Sequence, residues 1–249
     1  MSFLRPLWIA LQLLTRLPTP NSGAPDASAT GRSLLYYPLV GLLIGALLSA
    51  AGWSLAGHLP PMLLAAILLT LWVLITGALH LDGLADSADG WLGGYGDRER
   101  TLKIMHDPQS GPAAIVLLVL VLLLKFAALM AIVEMHRWDE LWLAPLLART
   151  LLPLLFLTTS CAQTQGMAAS LAAYLPHRST LLAVIIGLST TALAAPAGPW
   201  MVLSGLVLFV LLRRMMMLRI GGMSGDTAGA LVELTETAAL IALVVAAFW

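Results

Sequence analysis

Long unbroken apolar runs, rather than alternation, dominate the hydrophobic pattern of this chain. A helix that crosses a bilayer needs about 20 mostly apolar residues. Seven windows reach that length, at roughly 34–57, 60–81, 112–133, 141–161, 181–197, 199–218 and 228–248. The first 17 residues do not add an eighth: Leu7–Leu14 is short, and Arg5, Gln12 and Arg16 interrupt it. That pattern predicts an amphipathic helix lying in the membrane interface. No small-residue cleavage site follows it, so no removable signal peptide is expected. Pro18, Pro20, Gly23 and Pro25 then mark an irregular linker.

Composition sharpens this picture. Of 249 residues 59% are hydrophobic and only 10% charged, with a mean hydropathy of +0.91. A soluble globular chain carries roughly 25% charged residues, so soluble, disordered and disulfide-scaffold classes are excluded. The one cysteine, Cys161, has no partner within the chain. The formal net charge is zero, which gives no support for a nucleic-acid partner. The expectation is an all-α polytopic membrane protein, with seven transmembrane helices and an N-terminal interfacial helix, forming one domain over 1–249. The sequence leaves a homo-oligomer open.

The positive-inside rule sets the orientation. With a cytoplasmic N-terminus, seven spans put Arg5, Arg16, Arg32, Arg98, Arg100, Lys103, Arg178, Arg213, Arg214 and Arg219 on the cytoplasmic side. Only Arg137 falls outside, while Lys125 and Arg149 lie within spans. Asp82, Asp86, Asp89, Asp97, Glu99, Asp107 and Asp226 share the cytoplasmic side. Acidic residues contribute little to topology, so their clustering needs another cause.

Two acidic segments supply candidates. In Gly77–Gly90, Asp82, Asp86 and Asp89 recur at i, i+4 and i+7, which places them on one helix face. Like charges at this spacing destabilise a helix, and bound divalent cations would offset the repulsion. Hard oxygen ligands suit Mg²⁺, Mn²⁺ or Ca²⁺. Asp82 and Asp89 are about 10 Å apart along a straight helix. Two ions, or one ion and a free carboxylate base, therefore fit better than one ion bound by all three.

In Gly221–Glu236, Asp226, Glu233 and Glu236 fall within about 80° of helical arc. Gly222 and Gly225 allow close backbone approach just before a helix N-terminus, a natural anion site. No Gly-Lys-Ser/Thr follows, so this is no Walker A loop. Intramembrane acids default to function, which makes Glu233 a candidate metal ligand and Glu236 a candidate substrate contact.

Between the two segments, 94–108 predicts a short polar helix whose Arg98, Arg100 and Lys103 are placed to clamp phosphate. His106 and Asp107 end it, and His80 and His106 are candidate proton acceptors. Arg149, in mid-span, requires a carboxylate or a ligand phosphate. Lys125 stands alone and is expected to snorkel.

The runs LLTRLP (Leu13–Pro18), YPLVGLLIG (Tyr37–Gly45), GALHLDGLADSADGWLGG (Gly77–Gly94), KIMHD (Lys103–Asp107) and GGMSGDTAGALVELTE (Gly221–Glu236) together closely resemble the cobalamin synthase family. These are integral-membrane adenosylcobinamide-GDP ribazoletransferases. Where a family member is expected to read KIMRDSRIG, this chain has KIMHDPQSG. The resemblance implies a Mg²⁺-dependent reaction in a bacterial cytoplasmic membrane, with the site facing the cytoplasm. Adenosylcobinamide-GDP and α-ribazole, or its 5′-phosphate, would give adenosylcobalamin or its 5′-phosphate and GMP. A ribose hydroxyl would attack the phosphate nearer the corrinoid. Mg²⁺ on Asp82, Asp86 and Asp89 would neutralise the departing GMP, and Asp226, itself also a candidate metal ligand, or another carboxylate not bound to metal, would orient or deprotonate the hydroxyl.

The Asp82-Gly83-x-Ala85 step is also partly similar to the CDP-alcohol phosphotransferases, but Asp86 follows Ala85 where they have Arg after their Ala. A cation-coupled transporter is the reading from another class. Transporter sites usually lie near the midplane at inverted repeats, whereas these acids hug one face and no repeat is visible.

Overall fold

The computed structural model describes residues 4–20 and 26–248; Gly23 and Pro25 of the expected linker lie outside them. The elements are α1 (Arg5–Leu14), α2 (Ala27–Ser33), α3 (Tyr37–Leu55), α4 (Pro61–Thr76), α5 (Leu79–Gly93), α6 (Arg98–Met105), α7 (Pro112–Glu134), α8 (Leu143–Thr158), α9 (Met167–Ala173), α10 (His177–Ala194), α11 (Gly198–Ile220) and α12 (Gly225–Val245). Among the described residues there is no strand, only an isolated bridge between Cys161 and Met223. Six helical stretches are long and apolar enough to cross a membrane, and the bent pair α4–α5 raises the number to seven.

Helix starts follow local chemistry. Proline occupies the first turn of α1, α3, α4, α7 and α11, where its missing N–H costs nothing. The last helix, α12, opens with a capping box between Ser224 and Thr227, which satisfies otherwise orphaned backbone donors.

At the centre stands α8, with 78% of its stretch buried, whereas α10 and α11 turn most of their surface outward at 22% each. Lipid tails give no hydrophobic drive between helices, so close backbone contact through small residues matters. One face of α3 supplies it: a Cβ on Gly41 would lie 2.4 Å from the Pro145 carbonyl oxygen, and one on Gly45 2.2 Å from Cα of Trp142. Bulkier side chains there would push α3 off α8.

The second span, expected over 60–81, departs from expectation. Instead of running continuously into the carboxylates, it stops at Thr76, and α5 leaves at 86° to α4. The cause is two successive left-handed residues, Gly77 (φ 62°) and Ala78 (φ 59°). Glycine adopts this region freely, but alanine at positive φ is strained by about 1–2 kcal/mol. Arg16 lies across the corner, its backbone N–H donating to the Ile75 carbonyl at 2.7 Å.

The N-terminal helix α1 forms where the sequence places it and packs one face on the bundle. Ala10, Leu11 and Leu14 of α1 belong to the main core cluster together with α3, α4 and α8 residues. Much of its apolar face is therefore spent on protein. The short α2 contacts both α1 and α9, so these three elements form one cover over the same end of the bundle.

Candidate active site

The first-segment acids do share one helix, α5. Asp82 is exposed, while Asp86 and Asp89 are half-buried. Asp226 is half-buried in the first turn of α12. The two helices meet through glycine: a Cβ on Gly83 would lie 2.8 Å from the Asp226 carbonyl oxygen, and one on Gly229 3.3 Å from that of His80. Asp82 and Asp226, 144 positions apart in sequence, consequently line the same cavity of about 190 Å³. Among the described residues, no Lys, Arg or His forms an ion pair with Asp82, Asp86, Asp89 or Asp226. The Ser224 hydroxyl reaches Asp226 Oδ2 only at 3.5 Å.

Asp89 has a separate engagement. It accepts from the backbone N–H of Gly111 at 2.5 Å and of Ala114 at 3.0 Å, capping the N-terminus of α7. A carboxylate retains further lone pairs in that position, but its orientation is fixed by α7. Among the described residues, no three His, Cys, Asp or Glu side chains converge closely enough to hold an ion unaided.

Glu233 and Glu236, expected as a metal ligand and a substrate contact, are instead paired with cations inside the bundle, and Arg149 meets a carboxylate, one of its two expected partners. Lys125 Nζ donates to Glu233 Oε2 and Glu236 Oε2, each at 2.5 Å. Arg149 pairs with Glu236. The Trp72 indole N–H donates to Glu236 Oε1 at 3.2 Å, and its ring centroid lies 4.8 Å from the Lys125 ammonium. All four charged side chains are at most 4% exposed. Lys125 does not snorkel, because two carboxylates reach it within the span. Two cations face two anions, so the cluster is neutral and ties α4, α7, α8 and α12 together.

The Gly221–Asp226 loop is braced from a segment the sequence did not single out. Met223 N–H donates to the Ser160 carbonyl at 2.9 Å, and Ala162 N–H to the Met223 carbonyl at 2.7 Å. Gly222 is required there: a Cβ would lie 2.5 Å from the Ser160 oxygen. Gly225, by contrast, faces open space. Arg98 Nη2 donates to the Ala162 carbonyl at 2.8 Å, so Arg98 is spent on this brace. Arg213 grips the same segment through Thr159 Oγ1 at 3.0 Å. No sequence signal marks 159–162, since its contribution is backbone.

The expected polar helix is α6, capped by Asp97, whose carboxylate accepts from Arg100 N–H at 2.9 Å. Arg100 lies over Tyr95, 5.1 Å from the ring centroid. Lys103, His106 and Asp107 instead line an open cleft of about 500 Å³ with Gln163. His106 Nδ1 faces the Leu102 carbonyl at 2.6 Å, and its imidazole is within electrostatic reach of Asp86 and Asp226. His80 is 4% exposed, lines the smaller cavity, and has no partner for Nδ1 among the described residues.

Comparison with known proteins agrees with this architecture. A family model described as cobalamin-5-phosphate synthase matches residues 6–244. A Pseudomonas aeruginosa protein named adenosylcobinamide-GDP ribazoletransferase is 57% identical over 242 residues, covering 96% of this chain and 98% of its own. Relatives with the same name from Pseudomonas fluorescens and Pseudomonas putida are 54% and 53% identical, each covering at least 95% of this chain and 97% of its own. No solved structure matches the chain. Matched along nearly its whole length, this membrane-spanning chain belongs to the cobalamin-5-phosphate synthase family.

Proposed function

We propose that this chain, acting as a single catalytic domain, transfers the adenosylcobinamide-phosphate group from adenosylcobinamide-GDP to α-ribazole or its 5′-phosphate and releases GMP. The observation that carries the reading is the unpaired carboxylate set on α5 and α12. Leaving several carboxylates together without a cation is costly, and substrate turnover is the use that offsets it. The relatives' printed names supply the two substrates.

The donor set fits Mg²⁺. It is made of hard oxygens, and Mg²⁺ is usually bound through one or two carboxylates plus substrate phosphates rather than an all-protein cage. Asp82 and Asp86 are the residues to hold it, with Asp89 fixed beside them as the α7 cap. When bound, the ion supplies charge neutralisation to the diphosphate. Asp226, brought against α5 by Gly83, accepts the proton of the attacking ribose hydroxyl. Lys103 places positive charge, and His106 an imidazole, along the cleft next to that pair, where phosphate oxygens are expected. The excess of Lys and Arg at this end of the bundle supports a site facing the cytoplasm, in a bacterial inner membrane.

The test is GMP release by the purified full-length chain from adenosylcobinamide-GDP and α-ribazole, titrated with Mg²⁺. The reading requires turnover that needs both substrates and rises with Mg²⁺. Cation-driven uptake into vesicles, with no GMP formed, would establish the transporter instead.

A further inference from the structure

The cavity shared by Asp82 and Asp226 has walls of one kind and a mouth of another. Leu14 of α1, Tyr37 of α3, Phe156 of α8 and Leu171 of α9 supply apolar and aromatic surface, while the two carboxylates stand at its edge. His80, only 4% exposed, contributes to the cavity wall. We infer that this cavity is the acceptor subsite: it buries the bicyclic base of the lower-ligand nucleoside and presents the ribose hydroxyls to Asp82 and Asp226. The inference rests on the transferase reading above.

Size and polarity select the base. Sites for drug-sized ligands run to about 300–1,000 Å³, so about 190 Å³ admits one flat fragment and excludes a corrin ring. Guanine has the right outline but carries several donors and acceptors, which apolar walls would strand. Dimethylbenzimidazole has two methyl groups for the walls and one free ring nitrogen. That nitrogen is the base's one hydrogen-bonding atom, so apolar walls strand far less of it than of guanine. The N-terminal helix thereby gains a role beyond anchorage, because Leu13 and Leu14 form part of the roof.

Two measurements on the full-length chain test this. Ala168, on α9, lines the cavity, and Ala168→Trp fills it. Its KM for α-ribazole should rise about tenfold or more, the loss of roughly 1.4 kcal/mol of binding, with the KM for adenosylcobinamide-GDP unchanged. The second measurement needs no turnover. In a Cys161→Ser background, alkylation of Ala168→Cys should be slowed by α-ribazole and by free dimethylbenzimidazole, but not by GMP. Protection by GMP alone, a rise confined to the donor's KM, or an unchanged α-ribazole KM in a folded Ala168→Trp would overturn the subsite. Parent enzyme that releases no GMP from the two substrates would overturn the transferase reading instead.

Discussion

Helix α12 carries acids in two settings that differ in everything except sequence. Asp226, in its first turn, has no ion-pair partner among the described residues and borders a cavity with Asp82. Glu233 and Glu236, two to three turns further in, are buried against Lys125 and Arg149. The difference is charge balance. The inner cluster is neutral and closed, which makes it a fastening between α4, α7, α8 and α12. The outer set is uncompensated and open, which leaves it available for a cation and phosphates. An ionisable residue within a membrane defaults to a functional role; the proposed function uses the residues at the helix mouth, while those inside are already neutralised by ion pairs.

The largest effect should come from breaking the closed cluster. Glu236→Ala strips the partner from Arg149 and one of two from Lys125, and removing one member of a buried pair costs about 3–5 kcal/mol. The variant should accumulate poorly and melt well below the parent in detergent. In the parent background, replacing Lys125 with Met and Glu233 with Gln together removes one charge of each sign, leaves the Arg149–Glu236 pair intact, and should cost far less stability than Glu236→Ala. Full stability in Glu236→Ala would remove the distinction between the two settings.

Next comes the open set. Asp82→Asn should lower GMP turnover by about 10²–10³, the usual cost of one preorganised electrostatic contact, with a parental melting temperature. Glu134, exposed at the far end of α7, serves as the control, and Glu134→Gln should match the parent in both readings.

Smaller still are changes to the supports. Gly83→Ala puts a methyl group 2.8 Å from the Asp226 carbonyl, and overpacking of this kind costs about 1–3 kcal/mol. It should reduce turnover by moving α5 off α12, whereas Gly229→Ala, with 3.3 Å available, should be milder. Arg98→Lys loses the fork that holds Ala162. Its thermal effect should be about 1.5–3 kcal/mol or less, the range for a charged hydrogen bond, with a modest loss of turnover as the Gly221–Asp226 loop loosens.

The spans were legible because a bilayer demands long apolar runs, and the α6 helix because its cap and charges are local. The break at Gly77–Ala78 was not. Glycine hints at a turn, but nothing in an alanine announces a positive φ, and the 86° corner depends on α5 packing against α12. Asp82, Asp86 and Asp89 showed their common face through spacing alone. Their partners did not show, since the donors to Asp89 lie 22 and 25 residues away. Lys125 looked solitary for the same reason, its carboxylates being 108 and 111 residues distant. Sequence spacing reports which charges share a helix; only tertiary packing decides which are neutralised.

That division is tested most directly at Asp86, the middle carboxylate of α5, by measuring GMP release against Mg²⁺ concentration alongside the melting temperature of the same preparation. The account predicts that Asp86→Asn melts like the parent, needs more Mg²⁺, and turns over about 10²–10³ more slowly even when Mg²⁺ is raised. Full turnover at the parental Mg²⁺ demand would contradict it, and so would a melting temperature lowered as far as that of Glu236→Ala.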